Sequence, residues 1–290
     1  MATNTPFGQR LGLVLEGGAM RGIYTAGVLD VFLEAGIMPD VVVGVSAGAL
    51  HGCSYVAGQK GRSIRYYRKY RSDKHFMGLY SLLTTGDVVG TKFCYEDIPL
   101  RLDPFNEAAF EKAPVDFYVT VTNVRTGKPE YILCDELKVG SKMDVIRAGA
   151  SMPLCSKMVE WNGNLYLDGG VSDSIPYAKM KDFGCRKSIV VLTQPAGYLK
   201  QPAAMAPFEA MYRKYPAFVA AMRGRDQMYH TEVCAVEQAA KQGDVFLIRP
   251  SKLLHVGRME HDIEVLNAQY ELGRQDARNQ MDAMREWMER

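Results

Sequence analysis

The first 60 residues constrain the fold most strongly, because two short apolar runs there each lead through glycine into a helix-like segment. The run "LGLVLEG" (11–17) precedes a segment with one apolar helical face, and "DVVVGVS" (40–46) precedes "AGALHGCSYVAG". The second run does not alternate between apolar and polar residues, which is typical of a strand buried on both faces. The order strand, helix, strand, helix therefore predicts an α/β fold with a mostly parallel sheet.

The rest of the chain continues this mixed pattern. We predict strands in "VDFYVTVTNVRTG", "KPEYILC", "NLYL", "KSIVVLTQP" and "DVFLIRP", with a hairpin turn at Asn162–Gly163. Residues 62–103 begin as a basic helix and continue as a loop-like region, whereas 203–240 and 259–290 are mainly helical. No repeat or low-complexity linker interrupts the chain, so we expect one integrated domain over 1–290 with a mainly helical C-terminal part over about 203–290.

Composition limits the classes of protein and the kinds of site. The formal net charge of +2 argues against a nucleic-acid partner. The N-terminal "MATNTPFGQR" lacks a signal-peptide pattern and no apolar run approaches the ~18 residues of a membrane span, so we expect a cytoplasmic protein. The six cysteines lie at least 21 residues apart and form no Cys-x-x-Cys pair, so we expect buried thiols and neither a metal site nor a cofactor.

The sequence "GVSAG" places Ser46 between Gly44 and Gly48, where the second strand becomes a helix. A Gly-x-Ser-x-Gly turn exposes its serine on a sharp elbow, and the glycines let the strand and the helix approach closely. The free N–H groups at the start of the following helix would stabilise negative charge on a substrate oxygen. We therefore predict that Ser46 is a nucleophile.

A serine nucleophile needs a base. His255 and His261 follow in the chain order of an α/β-hydrolase triad, but neither lies in a distinctive motif. Asp168 ends a predicted strand and is followed by Gly169 and Gly170, so its carboxylate can approach another loop. A carboxylate can accept a serine proton directly if desolvation raises its pKa, and we therefore favour Asp168 as the base.

The stretch "EGGAMRG" (16–22) follows the first strand directly. Its glycines allow backbone N–H groups to turn inward and form an anion-binding nest, as an oxyanion hole requires. A dinucleotide site would need Gly-x-Gly-x-x-Gly and an acidic residue at the end of the second strand, and the sequence departs from both requirements.

Together, "EGGAMRG", "GVSAG" and "DGG" resemble the patatin-like phospholipase family. The segments "ASMPL" (150–154) and "SIP" (174–176) extend the resemblance, which covers a core of about 11–183. It implies a three-layer α/β/α fold with a central, mostly parallel sheet and a helical C-terminal extension. It also implies a serine lipid acyl hydrolase that uses a Ser–Asp dyad without histidine.

The resemblance implies a role for each matched residue. Ser46 would attack the ester carbonyl, Asp168 would accept its proton and later activate water, and the backbone of Gly17, Gly18 and Ala19 would hold the oxyanion. The positions implied to support these groups are Arg21, Gly22, Gly44, Gly48, Gly169 and Gly170.

Two residues depart from the family pattern. Ala19 stands where most members have a third glycine, and a methyl group there disfavours a positive φ. Ser174 stands where many members have asparagine before Ile-Pro, which changes the support of the loop after Asp168.

Two other functions remain open at this point. One is an α/β-hydrolase-type esterase with a Ser-Asp-His triad, and the other is a non-enzymatic nucleotide-binding module that uses the Gly-rich loop. In the family interpretation the partner is a lipid or another acyl ester.

Two segments bear on how a lipid would reach the site. The basic, Tyr-rich stretch "GRSIRYYRKYRSDK" (61–74) predicts either peripheral docking on anionic lipid or a solvated helix with packed tyrosines. The Met-rich stretch 205–222 predicts either a lid or acyl groove, or ordinary core packing.

Overall fold

A computed structural model describes residues 6–290. Residues 1–5, which begin the stretch where we expect no signal peptide, lie outside the described part. In the described residues the strands are Arg10–Leu15 (β1), Val41–Val45 (β2), Asp116–Asn123 (β3), Pro129–Leu133 (β4), Val159–Trp161 (β5), Asn164–Asp168 (β6), Cys185–Val191 (β7) and Val245–Ile248 (β8).

The α-helices of the described part lie mostly between these strands and after them. They are Ile23–Glu34 (α1), Ala47–Val56 (α2), Arg62–Tyr70 (α3), Leu79–Thr85 (α4), Glu107–Lys112 (α5), Met143–Gly149 (α6), Ala206–Met211 (α7), Pro216–Arg223 (α8), Arg225–Gln242 (α9), Ile263–Asn279 (α10) and Met281–Glu289 (α11).

The strands form one mixed sheet in the order β5-β6-β3-β2-β1-β7-β8, with β4 paired to β3. The central run from β3 to β8 is parallel, and β4, β5 and β6 make the antiparallel pairs. The predicted α/β fold with a mostly parallel sheet is therefore confirmed. Because β1, β2 and β7 are parallel neighbours, their carboxyl ends meet at one edge of the sheet.

Alternate residues of β1 contribute to cores on opposite faces of the sheet. Leu13 and Leu15 lie in a cluster with residues of α1, α2 and α10. Val14 lies in a second cluster with residues of α9. Helices therefore cover both faces, as the resemblance implies.

The prediction that residues 62–103 continue as a loop-like region after the basic helix is wrong for much of that stretch. Residues 79–85 form α4, and residues 93–102 form a π-helix that contains Pro99. The π-helix has no sequence signature of ordinary periodicity, since its hydrogen bonds span one residue more than those of an α-helix.

The prediction that the cysteines are buried thiols is only partly confirmed. All six thiols are free. Three are buried, two are half-buried and Cys234 is exposed on α9.

Candidate active site

Ser46 occupies the sharp turn between β2 and α2. Its φ of 52° and ψ of −122° lie in a region that costs a non-glycine residue strain. A β-carbon on Gly48 would lie 2.3 Å from the carbonyl oxygen of Leu15, and one on Gly44 would lie 2.6 Å from the backbone nitrogen of Ala49. The two glycines therefore permit the contact between strands and helix that holds the serine on the elbow.

Asp168 ends β6, and the strand registers bring it level with Ser46. It lies opposite Val121 of β3 in an antiparallel pair, and the preceding residue of β3, Thr120, lies opposite Val45 of β2. The carboxylate accepts a hydrogen bond of 2.8 Å from the Gly170 N–H, and the Asp168 carbonyl accepts one of 2.8 Å from the Thr122 hydroxyl. A β-carbon on Gly169 would lie 2.2 Å from the Thr120 carbonyl oxygen, so this turn requires glycine. The backbone around Asp168 is therefore tightly held.

The structure brings Ser46 and Asp168 together. The Ser46 side chain lies beside the Asp168 carboxylate, both residues line one cavity, and both are buried. Burial raises the pKa of the Asp168 carboxyl, although the Ser46 side chain, the charge of Arg225 and the Gly170 N–H oppose this shift. A carboxylate with a raised pKa next to a serine hydroxyl is suited to accept its proton.

The Gly-rich loop (16–22) lies against the elbow. A β-carbon on Gly17 would lie 2.9 Å from that of Ser46. The N–H groups of Gly17, Gly18 and Ala19 donate to no acceptor within residues 6–290. Ala19 adopts a positive φ of 49° in spite of its methyl group. The alanine therefore takes the backbone conformation for which glycine is the usual residue.

The N–H of Ala47 is a further donor, and Ala47 was not among the predicted site residues. It follows Ser46 as the first residue of α2, and its N–H has no hydrogen-bond acceptor among the described residues. The predicted helix after Ser46 indicates such a donor, because the first N–H groups of any helix lack intrahelical acceptors.

The supporting residues lie beside these groups. Arg21 lines the cavity that contains Ser46 and Asp168, and its Nε is buried without a partner in the described part of the chain. A β-carbon on Gly22 would lie 2.6 Å from that of Ala47, so Gly22 lets the Gly-rich loop pack against the start of α2.

None of the histidines lines the cavity that holds Ser46 and Asp168. His255 and His261 are exposed. His51 is buried on α2, 3.0 Å from the Ser63 hydroxyl, and burial lowers its pKa to about 3. The geometry therefore favours the dyad over the triad.

An apolar cavity of about 110 Å³ opens beside Ser46. Leu50 of α2 and Tyr95 and Ile98 of the π-helix are among its lining residues. Arg62, which also lines it, has its charge matched by Asp103 at 3.5 Å. The apolar cavity is thus suited to a hydrocarbon chain that is attached at the elbow.

A second cavity, of about 180 Å³, is also lined by Ser46 and has more charged residues; we call it the polar cavity. Ala19, Ser46 and Met152 line both cavities. Besides Asp168, the charged residues that line the polar cavity are Glu16, Arg21, Lys200, Arg225 and Arg258. The sequence analysis did not predict Lys200, Arg225 and Arg258, because they lie in no motif and only the fold brings them near the elbow.

Helix α9 supports the Asp loop, which we define as residues 168–175. The Arg225 Nε donates to the Gly170 carbonyl at 2.6 Å, and one carboxylate oxygen of Glu232 accepts the N–H groups of Ser174 and Ile175 at 3.1 Å each. The Ser174 hydroxyl donates to the Gly170 carbonyl at 3.0 Å. Ser174, which stands where many family members have asparagine, therefore stabilises the Asp loop.

Comparison with known proteins decides the family. A model described as "Patatin-like phospholipase" matches residues 13–180, more than half of the chain. The chain belongs to the patatin-like phospholipase family. The patatin-like match contains the Gly-rich loop, Ser46 and Asp168, and it supports a hydrolase of lipid esters over a nucleotide-binding module. A second model, a domain of unknown function named DUF6363, matches residues 215–289 and so contains Arg225, Glu232 and Arg258.

Relatives of this patatin-like chain include bacterial and fungal proteins. The uncharacterized protein YjjU of Escherichia coli is 28% identical over 273 residues, covering 91% of this chain and 75% of the relative. Lysophospholipase nte1 of Aspergillus terreus is 30% identical over 182 residues, covering 61% of this chain and only 11% of the relative. Among solved structures, VipD from Legionella pneumophila has a TM-score of 0.47 at 13% identity, covering 96% of this chain and 67% of that chain.

Proposed function

We propose that this chain hydrolyses the acyl esters of lipids with a Ser46–Asp168 dyad. The observation that supports it best is that the Ser46 side chain shares one cavity with a buried carboxylate, Asp168, whose pKa is raised by burial. Membership of the patatin-like phospholipase family supports the class of reaction. The fungal relatives are named lysophospholipases, which supports a lipid ester as the substrate.

The proposed reaction has two halves. In the first, the Ser46 oxygen bonds to the ester carbonyl carbon while its proton passes to Asp168, and the ester C–O bond then breaks as Asp168 protonates the departing alcohol. In the second, Asp168 takes a proton from water, whose oxygen bonds to the acyl carbon. The Ser46–acyl bond breaks, Ser46 regains the proton and a fatty acid leaves.

The oxyanion of each tetrahedral intermediate would accept the N–H groups that have no other acceptor. These belong to Gly17, Gly18, Ala19 and Ala47. Fixed donors of this kind stabilise developing charge without reorganisation, and loss of one donor typically costs about 100-fold or more in kcat. The acyl chain would occupy the apolar cavity, because that cavity opens directly at Ser46.

We also propose that α4 contacts the lipid surface. Leu79 and Leu83 lie four residues apart on one face of α4, and 69% and 76% of their surfaces are exposed. The neighbouring π-helix lines the apolar cavity and exposes Leu100. Apolar side chains that enter a lipid interface here would lie next to the acyl cavity.

The basic stretch 61–74 is less suited to this contact than its composition indicated. Its Tyr66, Tyr67 and Tyr70 are buried, and Arg62 and Arg65 pair with Asp103. The packing alternative therefore describes this helix better. No helix in residues 6–290 is both long enough and apolar enough to cross a membrane.

The experiment that tests the proposed function combines turnover with labelling of the serine. Wild type should hydrolyse a lysophospholipid and react with a fluorophosphonate probe, giving a mass adduct on the peptide that contains Ser46. Ser46→Ala should lose both, while circular dichroism shows an unchanged fold. Absence of hydrolysis and of labelling in folded wild type would contradict the proposal.

A further inference from the structure

The polar cavity carries more positive charge than the proposed hydrolysis uses. Four cationic side chains line it: Arg21, Lys200, Arg225 and Arg258. None of the four forms an ion pair within 4.0 Å with any carboxylate of residues 6–290. We call these four residues the cation cluster.

The anionic residues of the polar cavity are already engaged. Glu16 is buried, accepts the Thr193 N–H at 2.6 Å and lines the cavity together with Tyr229. Burial raises the pKa of Glu16, which weakens it as a counter-charge. Asp168 is engaged by Ser46 and the Gly170 N–H.

The members of the cation cluster also repel one another. Burial, followed by the charge of Arg225, lowers the pKa of Lys200 to about 8. Burial lowers the pKa of Arg225 most; the charge of Asp168 opposes this shift, whereas the charges of Arg258 and Arg21 add to it. Partly desolvated like charges are stabilised by an anion that accepts hydrogen bonds from several of them.

We propose that the cation cluster binds the phosphate of a glycerophospholipid headgroup while the acyl ester lies at Ser46. This rests on the proposed function, because it assigns the two cavities to two parts of one substrate. In such a lipid a single glycerol unit links the acyl ester to the phosphate, and the two cavities meet at Ser46. An apolar chain and an anion on either side of the nucleophile match that substrate class.

Most of this site lies outside the patatin-like match. Lys200, Arg225 and Arg258 come from the chain after residue 180. The C-terminal part would therefore select the headgroup, while the N-terminal part holds the dyad and the acyl cavity.

The test compares two esters that differ only by a phosphoglycerol headgroup. Lysophosphatidylglycerol and a monoacylglycerol with the same short acyl chain are assayed at pH 7 with wild type, Lys200→Gln and Arg258→Gln. Wild type should prefer the phospholipid, and the ratio of the two kcat/KM values should fall about tenfold in each variant, as expected for loss of a charge-assisted hydrogen bond. Arg186→Gln is the matched control, since Arg186 is exposed at the opposite end of β7.

An unchanged ratio in both variants would overturn the inference. So would stimulation of monoacylglycerol hydrolysis by millimolar inorganic phosphate in a wild type that shows no preference for the phospholipid, because the site would then bind the free anion.

Binding to Ser46→Ala separates this inference from the proposed function. Calorimetry should show tighter binding of lysophosphatidylglycerol than of the monoacylglycerol to Ser46→Ala, and Arg258→Gln in that background should remove the difference. This outcome would stand even if wild type hydrolysed neither ester, which would overturn the proposed function alone. Equal affinities would overturn the headgroup site alone.

Discussion

At the scale of residues, the nucleophile and its base differ in how far sequence could predict them. The elbow is local, because the strain at Ser46 and the glycines that permit it lie within five consecutive positions. Asp168 lies 122 residues further along the chain, and its burial, its place beside Ser46 and its raised pKa depend on the packed fold. The cation cluster, for the same reason, could not be read from a motif.

The raised pKa of Asp168 makes a prediction for pH dependence. Only the carboxylate accepts the Ser46 proton, so kcat/KM for an uncharged ester should fall with decreasing pH through a pKa above the ordinary value of about 3.9. Lys200→Gln removes a positive charge that favours the carboxylate, so the acid limb should move to higher pH. A limb that stays in place or moves to lower pH would contradict this electrostatic coupling.

At the scale of elements, α9 supports the Asp loop, and its sequence did not predict this contact. Glu232 contacts the N–H groups of Ser174 and Ile175 across 58 and 57 residues of chain. Burial, followed by the charge of Asp173, raises the pKa of Glu232, which favours the protonated form of this carboxyl. A helical pattern predicts α9, but only the fold shows what it touches.

Two substitutions of Glu232 should separate its support of the Asp loop from the effect of its charge. Glu232→Gln keeps an oxygen for both N–H groups and should retain kcat, whereas Glu232→Ala loses both bonds and should lower kcat about tenfold. The folded protein keeps the proton of Glu232, whereas the unfolded chain releases it above about pH 4.5. The free energy of unfolding should therefore fall as pH rises from about 5 to 8.

Thermal denaturation at both ends of that range, with steady-state kinetics, measures these effects. Glu232→Gln should lose less stability between pH 5 and 8 than wild type does. Equal kcat for Glu232→Ala and wild type would show that this contact does not position the Asp loop.

At the scale of the whole molecule, the order of strands and helices predicted the α/β class and the parallel centre of the sheet. It did not predict α4 or the π-helix, whose residues follow no long apolar period. We propose that the chain is one integrated domain. In support, a β-carbon on Gly27 of α1 would lie 2.1 Å from the Tyr270 carbonyl oxygen of α10, so the C-terminal helix packs directly on the patatin-like core.

The lipid contact of α4 belongs to this scale because it orients the molecule on a surface. Leu79→Ser combined with Leu83→Ser should reduce co-sedimentation with phospholipid vesicles several-fold, since two largely exposed apolar side chains lose their contact with lipid. Leu253→Ser is the matched control, because Leu253 is 56% exposed in the segment between β8 and α10. Equal sedimentation of the double variant and wild type would contradict this contact.

The dyad is the central claim, and one comparison of kcat/KM tests it directly. Asp168→Asn, His255→Ala and His261→Ala are measured on one lysophospholipid, with circular dichroism to confirm folding. We predict that Asp168→Asn loses hydrolysis by at least about 1,000-fold, because the amide cannot accept the serine proton, while both histidine variants keep wild-type activity. Loss of hydrolysis in either folded histidine variant, or substantial activity in Asp168→Asn, would contradict the dyad.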